Sequence, residues 1–138
     1  MTAQIISNLK WPSEGQVKII DPTHKPEGNT HLISVKDFSF YSNPTSDYGG
    51  NDSLLNPEDL LLSALTSCFF MTFFSIANKA RLGLLSYECN SELFLAGEKV
   101  KFAEKIVLNL DLKLEAPQEK EKVLELCQKA HKYCIIAN

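Results

Sequence analysis

Four cysteines, Cys68, Cys89, Cys127 and Cys134, are the side chains best suited to chemistry in this chain. A thiolate can act as nucleophile, metal ligand or disulfide partner, depending on how its surroundings set its pKa. Their spacing removes two common frameworks. No CxxC pair suggests a zinc knuckle or a thioredoxin-type motif, and four thiols in 138 residues are too sparse for a disulfide scaffold. Reduced thiols are expected. Cys127, His131 and Cys134 share a helical face at i, i+4 and i+7, but a zinc site needs a fourth ligand and none is evident, so no metal is expected. His24 and His31 lie in or beside a polar loop and read as solvated. The sequence carries no phosphate loop, Ser/His/Asp order or dinucleotide fingerprint, so no bound cofactor is expected either.

Cys68 sits inside an uncharged stretch, LLLSALTSCFFMTFFSIAN over residues 60–78. That length approaches a membrane span. Ser63, Thr66, Ser67, Thr72 and Ser75, however, spread hydroxyls around it, and the stretch reads as a helix buried on nearly all sides in a core. Its start is marked by Asn56-Pro57-Glu58-Asp59, with Asn56 as cap, Pro57 in the first helical position and two acids facing the positive end of the dipole. Its end falls near Gly83. Cys68 lies about 18 Å beyond the cap at ~1.5 Å per residue, too far for the dipole to activate it. Pattern alone reads it, like Cys89 and Cys127, as a small core hydrophobe.

Strands surround this helix. Apolar and polar residues alternate at Ile5–Trp11, again at Val17 and Ile19, and at Ile33 and Val35, which predicts three strands. Turn chemistry separates them at Pro12–Gly15 and at Asp21–Thr30, and a loop follows at Tyr41–Leu55. Beyond the helix, Tyr87–Leu95 and Val100–Leu114 alternate around a turn at Ala96-Gly97-Glu98, as strands with one wet face do. Pro117 opens a last helix, with Val123, Cys127, Ala130 and Cys134 on one stripe and a Glu125–Lys129 pair for support. Runs of strands broken by single helices define an α+β fold, here as one domain over residues 1–138.

Composition narrows the function. The chain is 44% hydrophobic and 22% charged, with a net charge of −3 and Arg81 as its one arginine. Nucleic-acid binding is disfavoured, because it wants a basic surface with guanidinium forks. The amino terminus has no basic region followed by an apolar one, so a cytoplasmic protein without a membrane role is expected.

The segment Asn56-Pro57-Glu58-Asp59-Leu60-Leu61-Leu62-Ser63-Ala64-Leu65-Thr66-Ser67-Cys68-Phe69-Phe70-Met71-Thr72 resembles the signature of the OsmC/Ohr superfamily, an Asn-Pro-Glu opening before a Leu/Ala-rich helix with the reactive cysteine. Ala130-His131-Lys132-Tyr133-Cys134 is similar to that family's second cysteine motif. The resemblance implies antiparallel strands with a long buried central helix and a C-terminal helix, assembled as an interlocked homodimer. It also implies a cysteine-based peroxidase for organic hydroperoxides in oxidative-stress defence. Cys68 would then be the peroxidatic cysteine, Cys134 the resolving cysteine and Glu58 a carboxylate of the site, with an external dithiol or lipoyl-type reductant. The alternative is a non-enzymatic member that binds a small apolar ligand or a partner.

Two further expectations follow. Glu58 precedes Cys68 by about 15 Å of straight helix, so it either joins a site from the partner chain or simply faces its own helix dipole. The family's reductases hold the thiolate with an arginine from the amino-terminal hairpin, where this chain has Ser13 and, nearby, Lys10 and Lys18. Without that cation, burial among Phe69, Phe70 and Met71 is expected to raise the pKa of Cys68. The four phenylalanines of the helix, Phe69, Phe70, Phe73 and Phe74, suggest more aromatic surface than one sheet covers, hence a second chain.

Overall fold

The computed structural model describes residues 4–11 and 28–138. The expected strand at Val17–Ile19 and the hairpin positions Ser13 and Lys18 lie outside them. The elements are β1 (Gln4–Trp11), β2 (His31–Val35), β3 (Phe38–Ser42), α1 (Pro57–Lys79), β4 (Leu84–Ala96), β5 (Phe102–Leu114) and α2 (Lys120–Tyr133). They fall into two compact units, residues 4–11 with 62–138 and residues 28–61.

The first unit is built on an antiparallel sheet of order β1-β4-β5. Register places Cys89 between Leu9 and Leu110, and Tyr87 between Trp11 and Leu112. Alternation along β4 buries Tyr87, Cys89, Ser91, Leu93 and Leu95 on one face. The other face is polar: the Asn8 amide donates to Glu88 Oε1 at 3.2 Å and to Asn90 Oδ1 at 2.8 Å.

α1 presents Leu62, Thr66, Phe69, Phe73 and Ala77 to this core, a spacing that follows the helical repeat. Phe69, Phe73 and Ala77 join Tyr87, Cys89 and the α2 residues Ala130 and Cys134 in one cluster, while Leu62 packs with Leu93 and Leu95 in another. Between them lies a polar link. Thr66 donates to the Leu62 carbonyl at 2.7 Å, which leaves the Ser91 hydroxyl to donate to Thr66 Oγ1, also at 2.7 Å. By length and composition alone α1 could cross a membrane; here one of its faces is the lid of the sheet.

Two expectations change. α1 is buried along one stripe rather than on nearly all sides, since Ala64, Ser67, Met71 and Ser75 on its opposite face are exposed, Met71 at 66%. The phenylalanines also find cover within one chain: Phe69 and Phe73 point into the core, and the Trp11 ring lies 6.3 Å from Phe70 and 5.0 Å from Phe74. Surplus aromatic surface therefore gives no argument for a second chain.

The second unit holds a hairpin that the alternation only half revealed. β2 and β3 pair across the two-residue turn Lys36-Asp37, with Lys36 at a φ of 55° in the region glycine favours. Without glycine there, the turn carries no sequence signal, and Phe38–Ser42 reads as the approach to a loop instead of a strand. Further on, Gly50 backs onto Pro44 so closely that a Cβ would stand 1.6 Å from the Pro44 carbonyl oxygen. The loop closes where Asn43 N–H and the Ser42 hydroxyl both donate to the Leu55 carbonyl at 3.0 Å. α1 then opens with a reciprocal cap: Asp59 N–H donates to Asn56 Oδ1 at 2.8 Å and Asn56 N–H to Asp59 Oδ2 at 3.1 Å.

One-sided burial of α1 has a direct test in urea unfolding. Phe73→Ala should cost about 3–5 kcal/mol, the usual loss for a buried phenylalanine, whereas Ser75→Ala one turn-face away should stay within about 0.5 kcal/mol.

Candidate functional site

Cys68 lies mid-way along α1 and is half-buried; Cys134 closes α2 as its C-cap and is fully buried. The two thiols lie near enough for each to act on the other's titration. Helix geometry explains how. The last turn of α2 ends with Cys134 N–H donating to the Ala130 carbonyl at 2.9 Å, and the chain then folds over as a turn through Ile135, Ile136 and Ala137. That turn aims backbone N–H groups at sulfur.

The two thiols are driven in opposite directions. The pKa of Cys68 is lowered, chiefly by the Ile136 N–H, then by the Cys134 thiol, with smaller help from the Ile135 N–H, against a desolvation penalty. Hydrogen bonds to the charged form favour it. Cys134 is raised, first by burial and then by the Cys68 thiol. The two shifts make Cys68 the more acidic thiol of the two and Cys134 the one that keeps its proton to higher pH. The direction is opposite to the rise expected at Cys68: among the described residues, backbone donors outweigh desolvation. The Lys10 side chain, Ser13 and Lys18 lie outside the described residues.

Glu58 stands half-buried in the first turn of α1, beside the Asn56–Asp59 cap. The other thiols belong to the core. Cys89 is fully buried and bonds Ser91 at 3.5 Å, and burial raises its pKa; Cys127 is half-buried and likewise raised. The shared face of Cys127, His131 and Cys134 does not become a ligand set, because Cys134 turns to Cys68 while His131 is exposed. Among the described residues no three metal-binding side chains converge.

Thr72 is a site residue that sequence reading passed over. Its hydroxyl donates to the Cys68 carbonyl at 3.0 Å, and its place one helical turn after the cysteine was the available signal. The N–H groups of Ile135 and Ile136 left no such signal, since backbone donors have no residue type. Thr72 also lines a cleft of about 740 Å³ with Met71, Ser75, Ile76, Leu126 and Tyr133, rimmed by Lys79 and Lys129. A mostly apolar cleft of this size can take a small organic molecule.

Two thiols shifted in opposite directions on an antiparallel α+β frame make up the candidate site. The OsmC-like protein family model matches residues 50–138, and the chain belongs to that family. Over its whole length it is similar in fold to an OsmC-like protein of unknown function from Vibrio cholerae, with a TM-score of 0.71 at 18% identity, covering 92% of that chain. No curated protein matches it.

The opposed pKa shifts make a measurable prediction. In the native protein iodoacetamide should modify Cys68 first, with a labelling midpoint below the ~8.5 of a free thiol, while Cys89, Cys127 and Cys134 should label only above it or after unfolding. Mass spectrometry of the alkylated peptides across pH 5–10 reads this directly.

Proposed function

We propose that this protein is a cysteine-based peroxidase that reduces organic hydroperoxides in oxidative-stress defence. The observation that carries the reading is the pairing of Cys68, whose pKa is lowered, with the buried Cys134, whose pKa is raised, each acting on the other. In the proposed reaction the Cys68 thiolate attacks the terminal peroxide oxygen. The O–O bond breaks, the alkoxide leaves and takes a proton to become the alcohol, and Cys68 becomes a sulfenic acid. The Cys134 sulfur then attacks the sulfenic sulfur; its proton leaves with the hydroxyl as water, and a disulfide forms. An external dithiol, or a lipoyl-type reductant, restores both thiols by exchange.

The division of labour suits the chemistry. An attacking thiol must be ionised and reachable, and a resolving thiol must wait protonated until the sulfenic acid appears. The preference for an organic peroxide rests on the family resemblance, since neither Cys68 nor Cys134 lines the apolar cleft beside Thr72. In this reading the chain acts as a homodimer, with Glu58 supplied to the partner's thiol site, and it works in the cytoplasm without a bound cofactor or metal. The exposed face of α1, where Ala64, Ser67 and Ser75 are small and Met71 is apolar, supports a helix packing there.

Peroxide consumption with excess dithiol tests the chemistry. Cys68→Ser should abolish turnover; Cys134→Ser should allow one stoichiometric oxidation and then stop; Cys89→Ser and Cys127→Ser should stay within a few fold of wild type. Unchanged turnover in Cys68→Ser rejects the enzyme. After mild oxidation, non-reducing peptide mapping should return a Cys68–Cys134 disulfide, and a Cys127–Cys134 product would reassign the resolving thiol.

The dimer has its own measurement. Sedimentation at micromolar concentration should give about twice the chain mass, and Met71→Glu on the exposed face of α1 should shift it toward one chain. A monomeric wild type would remove both the dimer and the partner role of Glu58.

A further inference from the structure

The turn that follows α2 has to be held in place if its N–H groups are to serve a sulfur atom. One side chain is arranged to hold it. The Asn138 amide donates to the carbonyls of His131 at 3.2 Å, Lys132 at 3.1 Å and Cys134 at 2.8 Å. Carbonyls at the end of a helix have lost their intrahelical partners, and a single donor that gathers three of them ties the turn to the helix it leaves. The tied segment runs from Cys134 to Asn138 and contains the Ile135 and Ile136 N–H groups that lower the pKa of Cys68, together with the Ala137 N–H, which acts with that of Ile136 on Cys134.

We propose that Asn138 is a positioning residue for the thiolate: its amide clamps the turn after α2 so that the backbone N–H groups of Ile135 and Ile136 hold the Cys68 sulfur. Backbone donors here do the work that a positively charged side chain could do, and Asn138 keeps them aimed. This inference rests on the reading of Cys68 as the ionised nucleophile. Ile135 matters for its backbone alone, because any residue except proline supplies the same N–H.

The consequences can be separated by two substitutions, read out by the pH midpoint of iodoacetamide labelling at Cys68 in the full chain. Asn138→Ala removes the clamp and should move the midpoint up by about one pH unit, which below the midpoint is about a tenfold loss of labelling. Asn138→Gln retains the amide and should move it less. Ile135→Pro removes one donor and leaves the clamp. It fits locally, since Cys134 at φ −70° and ψ 116° already has the extended backbone required before proline; it should also raise the midpoint, by less than Asn138→Ala.

A purely structural Asn138 would lower the melting temperature and leave the midpoint where it was, and that result overturns the proposal. Unmoved midpoints in both variants would likewise overturn it, assigning the thiolate to another group such as the hairpin lysines. A wild-type midpoint at or above the free-thiol value would instead reject the ionised Cys68 on which the inference stands.

Discussion

The seating of α1 on β4 is the constraint from which the rest of the first unit follows. Two periodicities meet there, the helical repeat of Leu62, Thr66, Phe69, Phe73 and Ala77 and the alternation of Tyr87, Cys89, Ser91, Leu93 and Leu95. Apolar contact fixes which faces meet but tolerates sliding; a buried hydrogen bond does not, because breaking it leaves unpaired polar groups in the core. The Thr66–Ser91 bond therefore sets the register of the helix along the strand. Once that register is set, Cys68 is carried to the edge of the core where α2 ends.

Among the described residues, the groups that lower the pKa of Cys68 are backbone and thiol donors. Burial and hydrogen bonding compete at the same atom, and the donors prevail at Cys68 because it is only half-buried. At Cys134 the balance reverses, since that sulfur is fully enclosed and the neighbouring Cys68 raises it further. Neither outcome depends on residue type, for both groups are cysteines on helices.

Much of the frame was legible in the sequence. The Asn56-Pro57-Glu58-Asp59 opening, the alternating strands around Gly97 and the stripe of α2 all appear where the pattern placed them, because each rests on local chemistry. What escaped was nonlocal or backbone-borne. The β3 strand was hidden by a turn with lysine in a glycine conformation, and one-sided burial of α1 was hidden because its exposed face is made of small and apolar residues rather than charges. Cys68 and Cys134 stood out as residue types, as did Glu58 at the start of α1, whereas the N–H groups that lower the pKa of Cys68 become visible only once the turn after α2 is folded.

The placement of the two neighbouring thiols, one in the middle of α1 and the other at the end of α2, also has a mechanical meaning. A covalent bond between them would close a loop containing nearly half of the chain. In the chain-entropy description, a loop of that length restricts the unfolded ensemble by about 4 kcal/mol. Forming the bond would also draw the Cys68 sulfur off its backbone donors, a loss in the native state that makes the closed form easier to reopen. Oxidation would thus act as a reversible staple between the two helices, with the redox state of the molecule written into its resistance to unfolding.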